Sequence, residues 1–262
     1  MEKGTDRVRA AVPAAVENWR NGIAEQKIAL ITGANKGIGK EVARQLGKQG
    51  MMVLIGARDQ LKGVETAAEL LAQGMRVRAI RLDVTDQNSI VLAAQAIEED
   101  FGRLDVLVNN AGIALDGGPT SDLDVEALRR TYDTNVFGVF AVTQAMLPLL
   151  RKSEAGRIVN MSSGLGSLTQ NSDPEWGFAG VKPLAYNSSK AALNMITVIF
   201  AAELKGTPIK VNAADPGFTA TDLNQHRGTR TVEQGATAVR LATLPADGST
   251  GGYFDEDGAV PW

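Results

Sequence analysis

The sequence predicts an α/β fold, a parallel sheet covered by helices on both faces. Short apolar runs alternate with longer stretches of helical periodicity from Lys27 almost to the end of the chain. The runs lack the alternation of a half-exposed strand, the pattern expected of strands buried on both faces. A third observation is a glycine cluster, Gly33, Gly37 and Gly39, which follows the first run and opens the first helical stretch. Within the 262 residues no linker, composition shift or repeat marks a division, so residues 27–262 are expected to form one doubly wound domain.

Residues 1–26 precede the first strand as an extension. Val8, Val12, Val16, Trp19 and Ile23 fall near a helical stripe that Pro13 interrupts, so a docking helix and a partly ordered extension both fit. Ile28–Ile31 is the first buried strand, and a helix follows over Ile38–Gly50. Met52–Ile55 is a second strand, followed by a helix over Leu61–Ala72. Val77–Leu82 gives a third strand, and Asp86 is placed to cap a helix that runs to Phe101. Asp105–Val108 is a fourth strand ending in Asn109-Asn110-Ala111-Gly112, and a long helix is expected from Asp122 to Leu150, with Pro148 in its last turn. Arg157–Met161 is a fifth strand, Pro183–Leu204 a strongly apolar helix, and Ile209–Ala213 a sixth strand ending in Asp215-Pro216-Gly217. A helix over Val232–Thr243 and a short strand near Gly252–Phe254 complete the pattern.

Composition excludes several chemistries. There is no cysteine, which removes disulfides, thiolate metal sites and thiol nucleophiles. His226 is the single histidine, so neither a histidine metal cluster nor an obvious Ser-His-Asp triad can form. No metal site is expected. Twenty-seven basic residues stand against 30 acidic ones, without a long block of either sign, which argues against a nucleic-acid partner. No apolar run is long enough to span a bilayer, and the N-terminus lacks the apolar core of a signal peptide, so a cytoplasmic location is expected.

The loop Thr32-Gly33-Ala34-Asn35-Lys36-Gly37-Ile38-Gly39 has the place and composition of a pyrophosphate cradle. Its glycines let the backbone approach a dinucleotide whose charge sits at the helix N-terminus. An acidic residue at the end of the second strand would select NAD by bonding the adenosine ribose. Ala57 stands there instead, followed by Arg58, and Lys36 lies in the glycine loop. Two cations where a 2′-phosphate should be point to NADP(H). An ion pair of Arg58 with Asp59 and a merely solvated Lys36 are the plainer alternatives.

The acid–base candidate is Tyr186, four residues before Lys190 at the head of the apolar helix, so that both project from one helix face. An ammonium beside a phenol favours the phenolate, whose ordinary pKa is about 10. Ser162 and Ser163 end the fifth strand before Gly164-Leu165-Gly166.

These motifs in this order, with the lone Asn135 of Thr134-Asn135-Val136 and a closing Pro216-Gly217 with Thr221, resemble the short-chain dehydrogenase/reductase superfamily in its short, single-domain form, over roughly residues 27–255. The resemblance implies a Rossmann-like, seven-stranded parallel sheet in the order 3-2-1-4-5-6-7. It implies that Tyr186 is the general acid/base, that Lys190 bonds the nicotinamide ribose and lowers the tyrosine pKa, that Ser163 rather than Ser162 polarises the substrate carbonyl, and that Asn135 holds a relay water. It places cofactor contacts at Gly33, Asn35, Lys36, Gly37, Ile38 and Gly39, at Arg58, Asp83, Val84, Asn110 and Gly112, at Tyr186 and Lys190, and at Pro216, Gly217 and Thr221. The expected reaction is reversible reduction of a ketone or aldehyde. The alternative is a catalytically idle NADP(H)-binding sensor or scaffold, against which intact Ser163, Tyr186 and Lys190 argue.

Ser163 and Tyr186 stand 23 positions apart, and the extra residues, near Ser167–Lys182, resemble those of the NADPH-dependent carbonyl reductase branch. Trp176 and Phe178 within them are candidates for the wall of a pocket for an apolar or aromatic ketone, or for pins that hold the insertion down. In many relatives the two long helices pair between subunits. Here the insertion or the N-terminal stripe could cover the second of them, which favours a dimer or monomer over a tetramer.

Overall fold

The computed structural model describes residues 26–262, and the N-terminal helical stripe expected from the sequence lies outside the described residues. Seven parallel strands form one sheet in the order β3-β2-β1-β4-β5-β6-β7, with β1 Ile28–Thr32, β2 Met52–Ala57, β3 Val77–Arg81, β4 Val106–Asn109, β5 Arg157–Met161, β6 Lys210–Ala214 and β7 Tyr253–Phe254. Every residue of β1, β2, β4 and β5 is buried, which is why these strands read as unbroken runs.

Successive strand side chains point to opposite faces, so the sheet divides its apolar residues between two cores. Ile28 and Leu30 of β1 join Met52, Leu54 and Leu107 on one face. That face is covered by α3 (Gln87–Phe101), α5 (Gly138–Leu150) and α7 (Leu184–Glu203) through Ile97, Met146 and Phe200. Ala29 and Ile31 join Val53, Ile55 and Val108 on the other, under α1 (Gly37–Lys48), α2 (Gln60–Ala72) and α8 (Ala238–Ala242) through Leu46, Leu70 and Leu241. Each fully buried Leu or Ile contributes roughly 1.5–3 kcal/mol. Asp86 caps α3 by accepting from the Asn88 amide at 3.0 Å, and left-handed Gly102 ends it.

Two helices differ from expectation. The long helix begins after a 3-10 turn at Thr120–Asp122, runs as α4 over Val125–Tyr132, widens into a π turn over Asp133–Phe137 and continues as α5. The last helix is only α8. Residues 232–235 form turns instead, and Gly235 lies against Thr219, whose Oγ1 would be 2.4 Å from a Cβ there.

The insertion folds into α6 (Leu168–Ser172) and a series of turns that lie at the start of α7, where Asn187 donates to Asn171 Oδ1 at 3.1 Å. It leaves Met195 and Ile199 farther along α7 exposed, beside exposed Phe137 and Phe140. No helix among the described residues is long and apolar enough to cross a membrane.

Candidate active site

The order of the sheet reverses between β1 and β4, and the carboxyl ends of the strands there open a crevice. The glycine loop fills its floor. Asn110, just after β4, donates its side-chain amide to the carbonyls of Thr32 at 2.9 Å and Gly33 at 3.2 Å. Thr32 Oγ1 accepts from the backbone amides of Asn110 and Ala111 in return. A Cβ at Gly39 would lie 2.4 Å from Asn110 Nδ2 and 2.8 Å from the Gly33 carbonyl, so only glycine lets α1 start this close to the loop. The Asn35 carbonyl is held by Thr66 Oγ1 at 3.0 Å, and Ile38 packs against the core beneath.

The two cations take different positions. Arg58 is exposed at the end of β2, while Asp59, its partner in the plainer alternative, instead caps α2 by accepting from Leu61 and Lys62 amides. Lys36 is not merely solvated: its Nζ pairs with Asp222 at 2.6 Å. Asp222 also meets His226 Nε2 at 2.9 Å. Asp222 belongs to the segment after β6, where Pro216 and Gly217 precede a 3-10 turn capped by Thr221. Thr221 Cγ2 is 3.6 Å from the Cβ position of Gly37, so this segment arches over the glycine loop. The Asp83 carboxylate accepts from Thr85 Oγ1 at 2.8 Å and its amide at 3.0 Å, and Val84 is buried.

At the other end of the crevice the structure brings Ser163, Tyr186 and Lys190 together. Ser163 caps the turn Gly164–Gly166 after β5, and its hydroxyl hydrogen-bonds the Tyr186 phenol. Ser162 faces the interior and donates to Asn194 Oδ1 at 2.5 Å. Lys190 Nζ stands 5.6 Å from the centre of the Tyr186 ring and donates to the Met161 carbonyl at 2.7 Å. Gly166 permits the helix to approach, since a Cβ there would be 2.7 Å from Lys190 Cβ. Asn135, fully buried in the π turn, accepts from the Ile113 amide and donates to the Ile113 carbonyl, both at 2.9 Å, and to Ser189 Oγ at 3.0 Å. Both its donors are thus committed to tying the loop after β4 to α7. Gly112 lies beside Asn135 Oδ1 and Lys190 Nζ. A π turn at such a site is a recurrent feature of functional helices.

The electrostatics of the pair are dominated by burial. Burial pushes Tyr186 up to about 12, the Ser163 hydrogen bond opposes this, and the Asp215 charge adds to it. Burial lowers Lys190 to about 8, against the attraction of Asp215. The hydroxyl of Tyr186 therefore stays a neutral donor at neutral pH.

Several site features were not singled out in the sequence. Asp116 Oδ2 accepts from the Ala185 amide at 2.7 Å and so fixes the start of α7 next to Tyr186. Phe218, after β6, completes a row of edge-on rings with Phe178 at 5.8 Å and Trp176 a further 5.6 Å on. Trp176 reaches the turn beside Ser163, its ring 3.3 Å from the Cβ position of Gly164. Asn109, Asn160 and Thr197 form a buried relay of hydrogen bonds beneath the site, at 2.8 Å each.

Known proteins resemble this chain in sequence and in fold. The family described as short chain dehydrogenase matches residues 27–231. The short-chain dehydrogenase anuI of Penicillium roqueforti is 40% identical, over 82% of this chain and 88% of its own. The salutaridine reductase of Papaver bracteatum is 32% identical, over 91% of this chain and 97% of its own. Among solved structures, the NADPH-bound carbonyl reductase from chicken fatty liver aligns with a TM-score of 0.80 and 27% identity, over 90% of this chain and 99% of that one. On the match over most of its length, the chain belongs to the short-chain dehydrogenase family.

Proposed function

We propose that the protein is an NADP(H)-dependent carbonyl reductase that converts a ketone or aldehyde to an alcohol, reversibly. The observation that carries this reading is the meeting of the Ser163 hydroxyl with a Tyr186 phenol that keeps its proton at neutral pH, beside the Lys190 ammonium. The glycine cradle and exposed Arg58 fit a dinucleotide with a 2′-phosphate, and the NADPH-bound carbonyl reductase among its structural relatives supports that choice. When bound, the nicotinamide supplies the hydride.

The chain's own residues do the rest. Ser163 and Tyr186 donate hydrogen bonds to the carbonyl oxygen, which stabilises the charge that grows on it. The proton passes from Tyr186 Oη to that oxygen, leaving a tyrosinate beside the Lys190 ammonium, which solvent then reprotonates. Trp176, Phe178 and Phe218 form a wall suited to an apolar or aromatic substrate. A monomer or dimer is favoured over a tetramer.

A panel of ketones and aldehydes followed through NADPH absorbance tests the reading. Turnover of one or more members is expected, nearly abolished in Tyr186→Phe and less reduced in Ser163→Ala, because Tyr186 still reaches the oxygen. Tight NADPH binding with no turnover on any member would favour a sensor or scaffold.

A further inference from the structure

The single histidine stands beside the glycine loop, and the reading above leaves it without a role. The chain from Thr221 to His226 folds back on Thr221. The Thr221 amide donates to Asn224 Oδ1 at 3.1 Å, and its carbonyl accepts from the Asn224 amide at 3.2 Å and the His226 amide at 2.8 Å. Asn224 Nδ2 donates to the Thr219 carbonyl at 2.8 Å. Among the described residues, Gln225 and His226 are the two with a side chain and a left-handed backbone, at φ 55° and 59°. That conformation is unfavourable for such residues and persists where surrounding bonds hold it. Here the turn brings His226 Nε2 to 2.9 Å from Asp222 Oδ1.

Asp222 is therefore shared between two partners. Its Oδ2 meets Lys36 Nζ at 2.6 Å, and its Oδ1 meets the imidazole. Lys36 first, and His226 after it, hold the carboxyl below the usual carboxylate range, so it is an anion at neutral pH. An ionised carboxylate can only accept, so Nε2 carries the proton of the bond to His226. An anion already on Lys36 competes with any other anion that the ammonium could bind.

We propose that His226 is a positioning residue for cofactor choice, which draws Asp222 off Lys36 and so leaves the ammonium available to the 2′-phosphate of NADP(H). The inference rests on the reading above that Lys36 faces that phosphate. Without the imidazole, Lys36 is the one cationic partner of Asp222 among the described residues. The pair then tightens, and a phosphate must displace a stronger competitor. NADH has no 2′-phosphate and leaves Lys36 alone, so its binding does not depend on the pair. His226 acts only through Asp222.

Calorimetric titration of NADPH and NADH into the full-length protein tests this. His226→Gly removes the imidazole and keeps the left-handed turn, which glycine adopts freely. NADPH is expected to bind it about two- to fivefold more weakly than wild type, the range of an exposed ion pair, and NADH equally well. Asp222→Asn is expected to bind NADPH more tightly than wild type, and adding His226→Gly to it is expected to change nothing further. An unchanged NADPH affinity in His226→Gly overturns the inference. So does an equal loss in the Asp222→Asn background, which would mean that His226 meets the phosphate itself. An equal loss for NADH also overturns it, since His226 would then only shape the segment. Lys36→Met separates this inference from the reading beneath it. If Lys36→Met lowers the preference for NADPH and His226→Gly does not, only the role of His226 falls. If Lys36→Met leaves the preference unchanged, the phosphate reading falls and the inference with it.

Discussion

Lys190 and Tyr186 lie one turn apart on α7, yet the ammonium is 5.6 Å from the ring centre and spends a proton on the Met161 carbonyl at 2.7 Å. The lysine is held by strand β5 and only faces the tyrosine. Its burial, with no carboxylate at ion-pair distance among the described residues, is the costly feature of the site.

That cost predicts a trade of stability against activity. The folded-state pKa of Lys190, about 8, lies below its ordinary 10.5. Below pH 8 both folded and unfolded states carry the charge and the full penalty is present, on the order of 3 kcal/mol. Between the two values the folded state has released the proton and the unfolded state has not, so stability rises with pH. Lys190→Met is expected to be more stable than wild type at pH 7 by roughly 1–3 kcal/mol, the lost bond to Met161 offsetting part of the gain. The gap should narrow towards pH 10. Urea unfolding of cofactor-free protein at both pH values checks this, and equal stability at pH 7 would refute it.

Under the proposed reading, cofactor choice depends on Arg58 and Lys36. A charge-assisted hydrogen bond contributes about 1.5–3 kcal/mol, so NADPH should bind roughly tenfold or more tightly than NADH. Arg58→Asp is expected to reverse the preference. Asp222→Asn frees Lys36 and is expected to strengthen NADPH binding while leaving NADH almost unchanged. Calorimetric titration of both cofactors measures each.

Gly39→Ala is expected to damage the cradle. With Asn110 Nδ2 at 2.4 Å and the Gly33 carbonyl at 2.8 Å, the new methyl must displace backbone. A loss of about 1–3 kcal/mol in stability and a clear fall in NADPH affinity should follow. Gly117→Ala, where a Cβ would meet nothing within 4 Å, is the control and should bind like wild type.

Trp176 offers a test of the substrate wall. Trp176→Ala removes the ring that packs edge-on to Phe178 and reaches the turn beside Ser163. KM for bulky aromatic ketones is expected to rise by about tenfold, with little change for small aliphatic aldehydes. Equal effects on both classes would mean that the ring serves only to hold the insertion.

The parts of the fold legible in the sequence were those fixed by burial and local chemistry. Strand β5 spans Arg157–Met161 as expected because both its faces are covered, and Asp86 caps its helix because the cap is a local hydrogen bond. The seven-stranded order came from the family resemblance, since periodicity cannot rank strands. Other features depend on distant partners. Gly235, inside the expected helix, packs against Thr219, 16 positions earlier in the chain. Lys36 meets Asp222 across 186 positions, which no local pattern signals. Asp215 was visible only as part of an Asp-Pro-Gly turn, although a charge at the end of a buried apolar strand is a signal that could have singled it out. The upward shift of Tyr186 arises from burial, which spacing to Lys190 does not reveal.

The Lys36–Asp222 pair closes a ring of chain over the glycine loop, and both side chains are more than half exposed. Such a clasp adds little to equilibrium stability and is screened by salt. Its consequence is kinetic. Because the segment that carries Asp222 arches over the loop proposed to cradle a dinucleotide, salt that loosens the pair is expected to quicken cofactor exchange, which stopped-flow NADPH release at low and high ionic strength would measure.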